Sequence, residues 1–247
     1  MASGGRGKVG EGGARPVLPR RLRAVAAYVR PGEKVADIGC GDGRLAAYLA
    51  TVRGCRVIAT EASLAGYGLA SERLRPLSGR VEVRFGRGLA PLRPGEAEVI
   101  IIAGMGGITM AGILEARPQG LRPRCFVLQP VARTAYLRRW LYRAGWALLD
   151  EDLVEDGRRI YEIVVTAPGA GGVPAGGEKL LAGGEVGTLA FARRHPLLGP
   201  FLQQKLARYR RLAGQVREAR GEAREKVLSV LRELEVLAAA LEAGRDR

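Results

Sequence analysis

Nine residues, Val35-Ala36-Asp37-Ile38-Gly39-Cys40-Gly41-Asp42-Gly43, constrain this chain more than any others. A short apolar run that breaks into glycine at every second position reads as a buried strand, a tight turn and the start of a helix. That is the first βα unit of a nucleotide-type binding fold. The glycines let the backbone bend and approach a ligand closely, and the next helix offers that ligand free N–H groups and the positive end of its dipole. Asp37 closes the strand beside the turn, so Asp37, Gly39 and Gly41 are expected at the ligand.

Spacing selects the ligand. A dinucleotide fingerprint, G-x-G-x-x-G, needs a small third residue to pack helix on strand, and counting from Gly39 and Gly41 puts Arg44 there. Hydride chemistry on a nicotinamide cofactor is thereby disfavoured. The pattern present, D-x-G-x-G-x-G, resembles the first motif of the Rossmann-like methyltransferases that bind S-adenosyl-L-methionine (SAM). Glu61 ends the next apolar run, Arg56-Val57-Ile58-Ala59-Thr60, about 20 residues past the turn, where an acidic side chain can accept both ribose hydroxyls. Ala62 follows it.

The alternation continues as strand 35–38, helix 44–52, strand 56–60, helix 63–75, strands 81–85 and 98–102, helix 107–115, strand 125–129 and helix 133–144. Apolar strands alternating with helices predict an α/β fold, a Rossmann-like sheet covered on both faces. A first helix over 18–29, ended by Pro31-Gly32, precedes it. Runs 147–154 and 159–166, separated by Glu155-Asp156-Gly157-Arg158, predict a closing β-hairpin. Residues 168–187, rich in Gly, Ala and Pro, read as a linker. Beyond it two apolar stripes, Leu202, Leu206, Tyr209, Leu212, Val216 and then Val227, Leu231, Leu234, Leu237, Leu241, predict an antiparallel helical pair. The expected organisation is a basic tail over 1–16, a methyltransferase-like domain over 17–167, the linker, and a helical appendage over 188–247.

The 247 residues carry a formal net charge of +15, a field that draws polyanions, so a nucleic acid is the first partner to consider. No apolar run reaches membrane-spanning length and the start lacks the apolar core of a signal peptide, so a cytoplasmic protein is expected. Cys40, Cys55 and Cys125 show no C-x-x-C spacing and His195 is the sole histidine, which argues against disulfides and against a metal site. All three thiols read as small buried hydrophobes. The pattern does not fix the oligomeric state, a monomer being favoured over an oligomer.

In a doubly wound sheet the ligand lies outside the carboxyl ends of the strands. There the chain has Gly39 to Gly43, Glu61-Ala62, Gly86-Arg87-Gly88, Ala103-Gly104-Met105-Gly106-Gly107 and Gln129-Pro130. The fourth of these lets backbone wrap a flat ligand, with Met105 on a ring face.

With Asp37-Ile38-Gly39, Gly86-x-Gly88-Leu89, Ile102 to Gly107, Leu128-Gln129-Pro130, Tyr161-Glu162 and Gly199-Pro200-Phe201 in this order, nearly the whole chain after Leu18 resembles the TrmK family of bacterial tRNA methyltransferases. The resemblance implies SAM-dependent methylation of N1 of adenine 22 in tRNA, with a C-terminal coiled-coil-like part that helps to hold the tRNA. It implies cofactor contacts from Arg21, Asp37, Gly39, Gly41, Glu61, Ala62, Gly86, Arg87, Gly88, Ala103, Gly104, Met105 and Gly106. Three departures accompany it. Cys40-Gly41-Asp42 stands where the family has Ser-Asp-His, Gly86-Arg87-Gly88 replaces Gly-Asp-Gly, and Val131 replaces an asparagine after Gln129-Pro130.

Adenine N1 carries an in-plane lone pair, so the reaction needs positioning more than a base. Gln129 and Pro130 are expected at the reacting base, and Asp42 is expected as the carboxylate that favours the cationic product. Met105, Pro130 and Tyr161 are candidates to stack on it. Arg133, Arg138 and Arg139, with Lys205, Arg208 and Arg211 of the first C-terminal helix, are expected on RNA phosphates. The alternatives are a SAM enzyme for another RNA position and an RNA-binding protein of the same fold that has lost catalysis.

Overall fold

A computed structural model of the chain describes residues 17–169, 181–216 and 221–243. The expected tail, residues 1–16, and most of the expected linker lie outside the described residues.

The chain opens with helix α1 (Arg20–Ala27) and continues β1 (Lys34–Ile38), α2 (Arg44–Val52), β2 (Arg56–Glu61), α3 (Leu64–Leu74) and β3 (Val81–Phe85). The second half of the sheet is β4 (Val99–Gly106), α4 (Gly107–Glu115), β5 (Cys125–Ala132), α5 (Thr134–Arg143), β6 (Ala147–Asp156) and β7 (Arg159–Ala167). Three helices follow: α6 (Thr188–Ala192), α7 (Leu198–Gln215) and α8 (Glu222–Ala243). The seven strands are ordered β3-β2-β1-β4-β5-β7-β6. All neighbours are parallel except β7, which runs antiparallel to β5 and β6. The order reverses between β1 and β4, and ligands bind at such a switch point.

The period of two along each strand sorts the core. Val35, Val57, Val99, Ile101 and Val127 pack under α1, α2 and α3. Their neighbours Ala36, Ile38, Ile100, Ile102, Phe126 and Leu128 pack under α4 and α5. Strands buried on both faces are the reason the sequence reads as continuous apolar runs.

Two strands outrun their expected ends. β4 carries on through Gly104, Met105 and Gly106, and β5 through Pro130 and Ala132, with Met105 paired to Pro130 and Gly106 to Ala132 across two register shifts. The glycine-rich stretch after Ile102 is therefore a bulged strand. Gly104, at φ 79°, supplies the left-handed residue that such a bulge needs.

The end of the expected linker is core. Ala182 and Val186 are buried in a third apolar cluster with Leu198, Phe201, Leu202, Leu206, Val230 and Leu234. Glu185 is buried too, its carboxylate accepting from Nζ of Lys205 and the hydroxyl of Tyr209, both at 2.7 Å. This cluster seats α7 and α8 on the β6–β7 edge of the sheet. Among the described residues no helix is long and apolar enough to cross a membrane.

Candidate active site

The turn from β1 to α2 holds Gly39, Gly41 and Gly43 at φ of 67, 58 and 77°. A side chain in that region costs about 1–2 kcal/mol, which accounts for glycine at every second position. A Cβ on Gly43 would stand 2.7 Å from Cδ1 of Leu74, and one on Gly39 would stand 2.1 Å from Cε of Met105. The bare Gly39 backbone thus lets Met105 fold over the first turn from the end of β4.

Asp37 is only 3% exposed. It accepts a hydrogen bond from the backbone N–H of Ala46, while Oδ2 has no partner. Burial pushes its carboxyl up to about 7, with the charge of Glu61 adding to the rise and the Ala46 bond opposing it. Together with Arg21, Gly39, Cys40, Asp42 and Ala103 it lines a pocket of about 200 Å³. A buried acceptor with nothing to accept, beside a glycine turn, suits a ligand amine or cation. Arg21 reaches the same pocket from α1. Its Nη1 donates to Asp156 at 3.0 Å, and its guanidinium lies 5.5 Å from the ring centre of Tyr161.

Two expectations change here. Cys40 is half-buried at the pocket, not a core hydrophobe, and its thiol is pushed up to about 12, mainly by burial and then by the charges of Asp37 and Glu61. Asp42 is held on Oδ2 by Nε of Arg44 at 2.7 Å and by Nη2 of Arg73 at 3.2 Å. Two guanidiniums thus share one oxygen of Asp42, which lines the first pocket.

Glu61 turns back onto the glycine turn. Its carboxylate accepts from the amides of Gly41, Ala62 and Ser63 at 3.1, 3.0 and 2.9 Å and from the Ser63 hydroxyl at 3.0 Å. Partial burial raises its pKa, but these bonds outweigh that and leave the group below the ordinary glutamate value. Ser63 also caps α3 by accepting from the Gly66 amide. The loop after β3 comes alongside, the Gly86 amide donating to the Glu61 carbonyl at 2.9 Å. Gly88, at φ 54°, packs on Ile113, and Arg87 projects into solvent.

Phe85 is the signal that sequence reasoning missed. It pairs in register with Glu61, is 53% exposed, and meets Tyr67 edge to face with centroids 5.7 Å apart. An exposed aromatic at a strand end follows from the same rule that selected Gly86 to Gly88.

A second pocket, of about 210 Å³, opens at the ends of β5 and β7, with Pro130, Val131, Thr134, Tyr161 and Glu162 among its walls. Arg21, against Tyr161, stands between the two pockets. Gln129 lies fully buried below Pro130, its Nε2 donating to the Pro130 carbonyl at 3.1 Å while Oε1 has no partner. Asp42 does not line this second pocket.

The six basic residues expected on RNA divide. Arg138 is buried, its Nε and Nη1 each 2.6 Å from the carboxylates of Glu151 and Glu162. Lys205 is bonded to Glu185 at 2.7 Å and faces Glu162 at 3.5 Å. Both cations thus pair with carboxylates at the sheet edge, Arg138 fully buried and Lys205 in the walls of a pocket. Arg139 donates to the Gly183 carbonyl and among the described residues is in salt-bridge contact with no carboxylate. Arg133, Arg208 and Arg211 are exposed. Among the described residues no group of three or more His, Cys, Asp or Glu side chains is poised for a metal.

Residues 18–164 match the family described as methyltransferase domain. The tRNA (adenine(22)-N(1))-methyltransferase of Bacillus subtilis strain 168 is 33% identical over 192 residues, 76% of each chain. The crystal structure of the B. subtilis m1A22 tRNA methyltransferase TrmK, 30% identical, covers 92% of this chain and 98% of its own, with a TM-score of 0.75. A Streptococcus pneumoniae protein described as a candidate tRNA (m1A22) methyltransferase, solved with S-adenosyl-L-methionine, is 25% identical. It covers 90% of this chain and all of its own, with a TM-score of 0.72.

Proposed function

This chain belongs to the tRNA (adenine-22, N1)-methyltransferase family, and from that premise we propose how its residues carry the reaction. The protein is a SAM-dependent enzyme that methylates N1 of adenine 22 in tRNA. When bound, SAM supplies a methyl group made electrophilic by its sulfonium. The observation that carries the residue assignment is the pair of pockets along the carboxyl edge of the sheet, one around the unpartnered Asp37 oxygen and one between Pro130 and Tyr161.

Asp37 holds the cofactor's amine, and Glu61 accepts from its ribose hydroxyls while the amides of Gly41, Ala62 and Ser63 fix the carboxylate. Gly39 and Gly41 give backbone access, and Ala103, Gly104, Met105 and Gly106 close the cofactor's other side. Phe85 and Tyr67 supply an apolar wall beside Glu61.

Adenine N1 lies on the pairing edge, so the base must leave its stack to react, at an expense of a few kcal/mol. Pro130, Val131 and Tyr161 form the surface that receives it. N1 enters the reaction with its lone pair free, so no side chain has to remove a proton first. Positioning and water exclusion are the protein's main contributions, out of about 7–11 kcal/mol available to well-oriented reactants. Gln129 fixes the Pro130 carbonyl and with it the pocket floor. Asp42 organises Arg44 and Arg73 and takes no chemical part.

A tRNA substrate supports a cytoplasmic setting. Exposed Arg133, Arg208 and Arg211 hold tRNA phosphates in this reading. Transfer of labelled methyl from SAM to a tRNA transcript with adenine at position 22, and to one with guanine there, tests it. Label on the first alone is expected, and equal label on both would overturn the target assignment.

A further inference from the structure

A third cavity, of about 490 Å³, lies between the start of α5 and the α7–α8 pair. Its cations come from three elements: Arg133 and Arg139 of the α5 region, Lys205 and Arg208 of α7, and Lys226 of α8. Lys205 pairs with Glu185; among the described residues none of the other four is in salt-bridge contact with a carboxylate, and Arg208 acts on Glu185 only through space. Arg139 donates only to the Gly183 carbonyl, and Arg208 lies over the ring of its neighbour Tyr209. The one carboxylate in the wall, Glu185, is already spent on Lys205 and Tyr209.

Five cations share this wall with a single carboxylate, so they repel each other, and an anion entering the space would relieve that repulsion. The first turn of α5, from Thr134, forms part of the same wall, so the positive end of that helix dipole adds to the field. The cavity is also more than an anion hole. Tyr136, 40% exposed, and the apolar side chains of Leu212 and Val227 line it. A volume in the range of ordinary small-molecule sites, with an apolar and aromatic wall beside cations, fits a nucleotide better than a bare phosphate.

Its position says which nucleotide. Thr134, Lys205 and Arg208 line both this cavity and the pocket between Pro130 and Tyr161, so the two adjoin across these side chains. We propose that the cavity between α5 and α7–α8 takes an RNA nucleotide adjoining the methylated adenine, with its phosphate among Arg133, Arg139, Arg208 and Lys226. The inference rests on the assignment of the Pro130–Tyr161 pocket to the target base. It moves RNA contact from the outer face of α7 into the cleft, and it gives α8 a part through Lys226.

The test compares two double variants that each remove two charges. One is Arg133→Gln with Lys226→Gln, inside the cavity. The other is Arg224→Gln with Arg232→Gln, on exposed α8 positions outside it. Unmodified tRNA transcript is titrated against each across a series of salt concentrations, with SAM affinity measured calorimetrically on the same preparations.

The cavity pair is expected to weaken tRNA binding about tenfold near 100 mM salt and to flatten the plot of log affinity against log salt by about 0.7–0.9, the value for one lost phosphate contact. The outer pair should change affinity less than about twofold, and SAM affinity should hold in both. Equal losses from the two pairs would overturn the proposal by reducing the cavity to part of a diffuse field. Binding of 5′-AMP alone that the cavity pair abolishes, with tRNA binding intact, would overturn it in favour of a free-nucleotide site. A parent protein that binds SAM and no tRNA at all would instead sink the parent reading of function.

Discussion

Cε of Met105 occupies the space that a side chain on Gly39 would need: a Cβ built on Gly39 falls 2.1 Å from it. The ends of β1 and β4, neighbours at the point where strand order reverses, therefore interlock through one residue without a side chain and one long flexible one. Gly39→Ala carries about 1–2 kcal/mol of backbone strain at φ 67° and displaces the Met105 methyl towards the cofactor space. Calorimetry should show SAM affinity reduced at least tenfold in Gly39→Ala, and the added change Met105→Ala should restore part of it. Losses that simply add would mean that the contact is incidental.

Much of this fold was legible in the sequence because its core strands are buried on both faces and its first turn needs left-handed residues. Both demands leave plain marks: continuous apolar runs such as Val99 to Ile102, and glycine at 39, 41 and 43. The extension of β4 through Gly104 was not legible, because a bulge and a glycine loop share the same residues. Arg138 was misread for a related reason. A basic residue on a helix looks solvated until Glu151 and Glu162, from strands 13 and 24 residues on, arrive beside it. The ion-paired Lys205 and Asp42 hide in the same way, their partners being distant or arginines of ordinary appearance.

The Asp37 carboxyl, held at about 7 by burial, binds a cationic amine only when ionised. Its pKa lies above the unfolded value, so the group favours the folded cofactor-free protein at low pH and gives up that contribution as pH rises through about 7. Cofactor binding runs the opposite way. SAM affinity should rise between pH 6 and pH 8 and then level off. In Asp37→Asn the affinity should be low and its rise with pH lost. Arg21, Cys40, Asp42, Arg44 and Glu61 are the other ionisable groups nearby, and a rise that survives in Asp37→Asn would transfer the effect to one of them.

Asp42→Asn should leave the chemical step nearly unchanged. Its carboxylate is spent on Arg44 and Arg73 at a partly exposed site, where such pairs contribute about 0–1 kcal/mol. Single-turnover methylation of unmodified tRNA at saturating SAM is expected within about twofold of the parent. A hundredfold slower step with SAM affinity intact would return Asp42 to the reaction.

Arg138→Met should damage the fold and not the RNA contact. It strands Glu151 and Glu162, both buried, without their shared cation, a loss of about 3–5 kcal/mol. Chemical denaturation should register that loss. The salt slope of tRNA binding, measured at a temperature where the variant is folded, should match the parent. A slope flattened by a full contact, about 0.7–0.9, would put Arg138 on a phosphate after all.

The central claim, that this chain's two pockets bring SAM to N1 of adenine 22, meets its most direct test in nucleoside mass spectrometry with position mapping. Unmodified tRNA is incubated with the protein and methyl-labelled SAM. The expected result is labelled N1-methyladenosine at position 22 and at no other. Label at another nucleotide, or no label from a protein that still binds SAM, would contradict it.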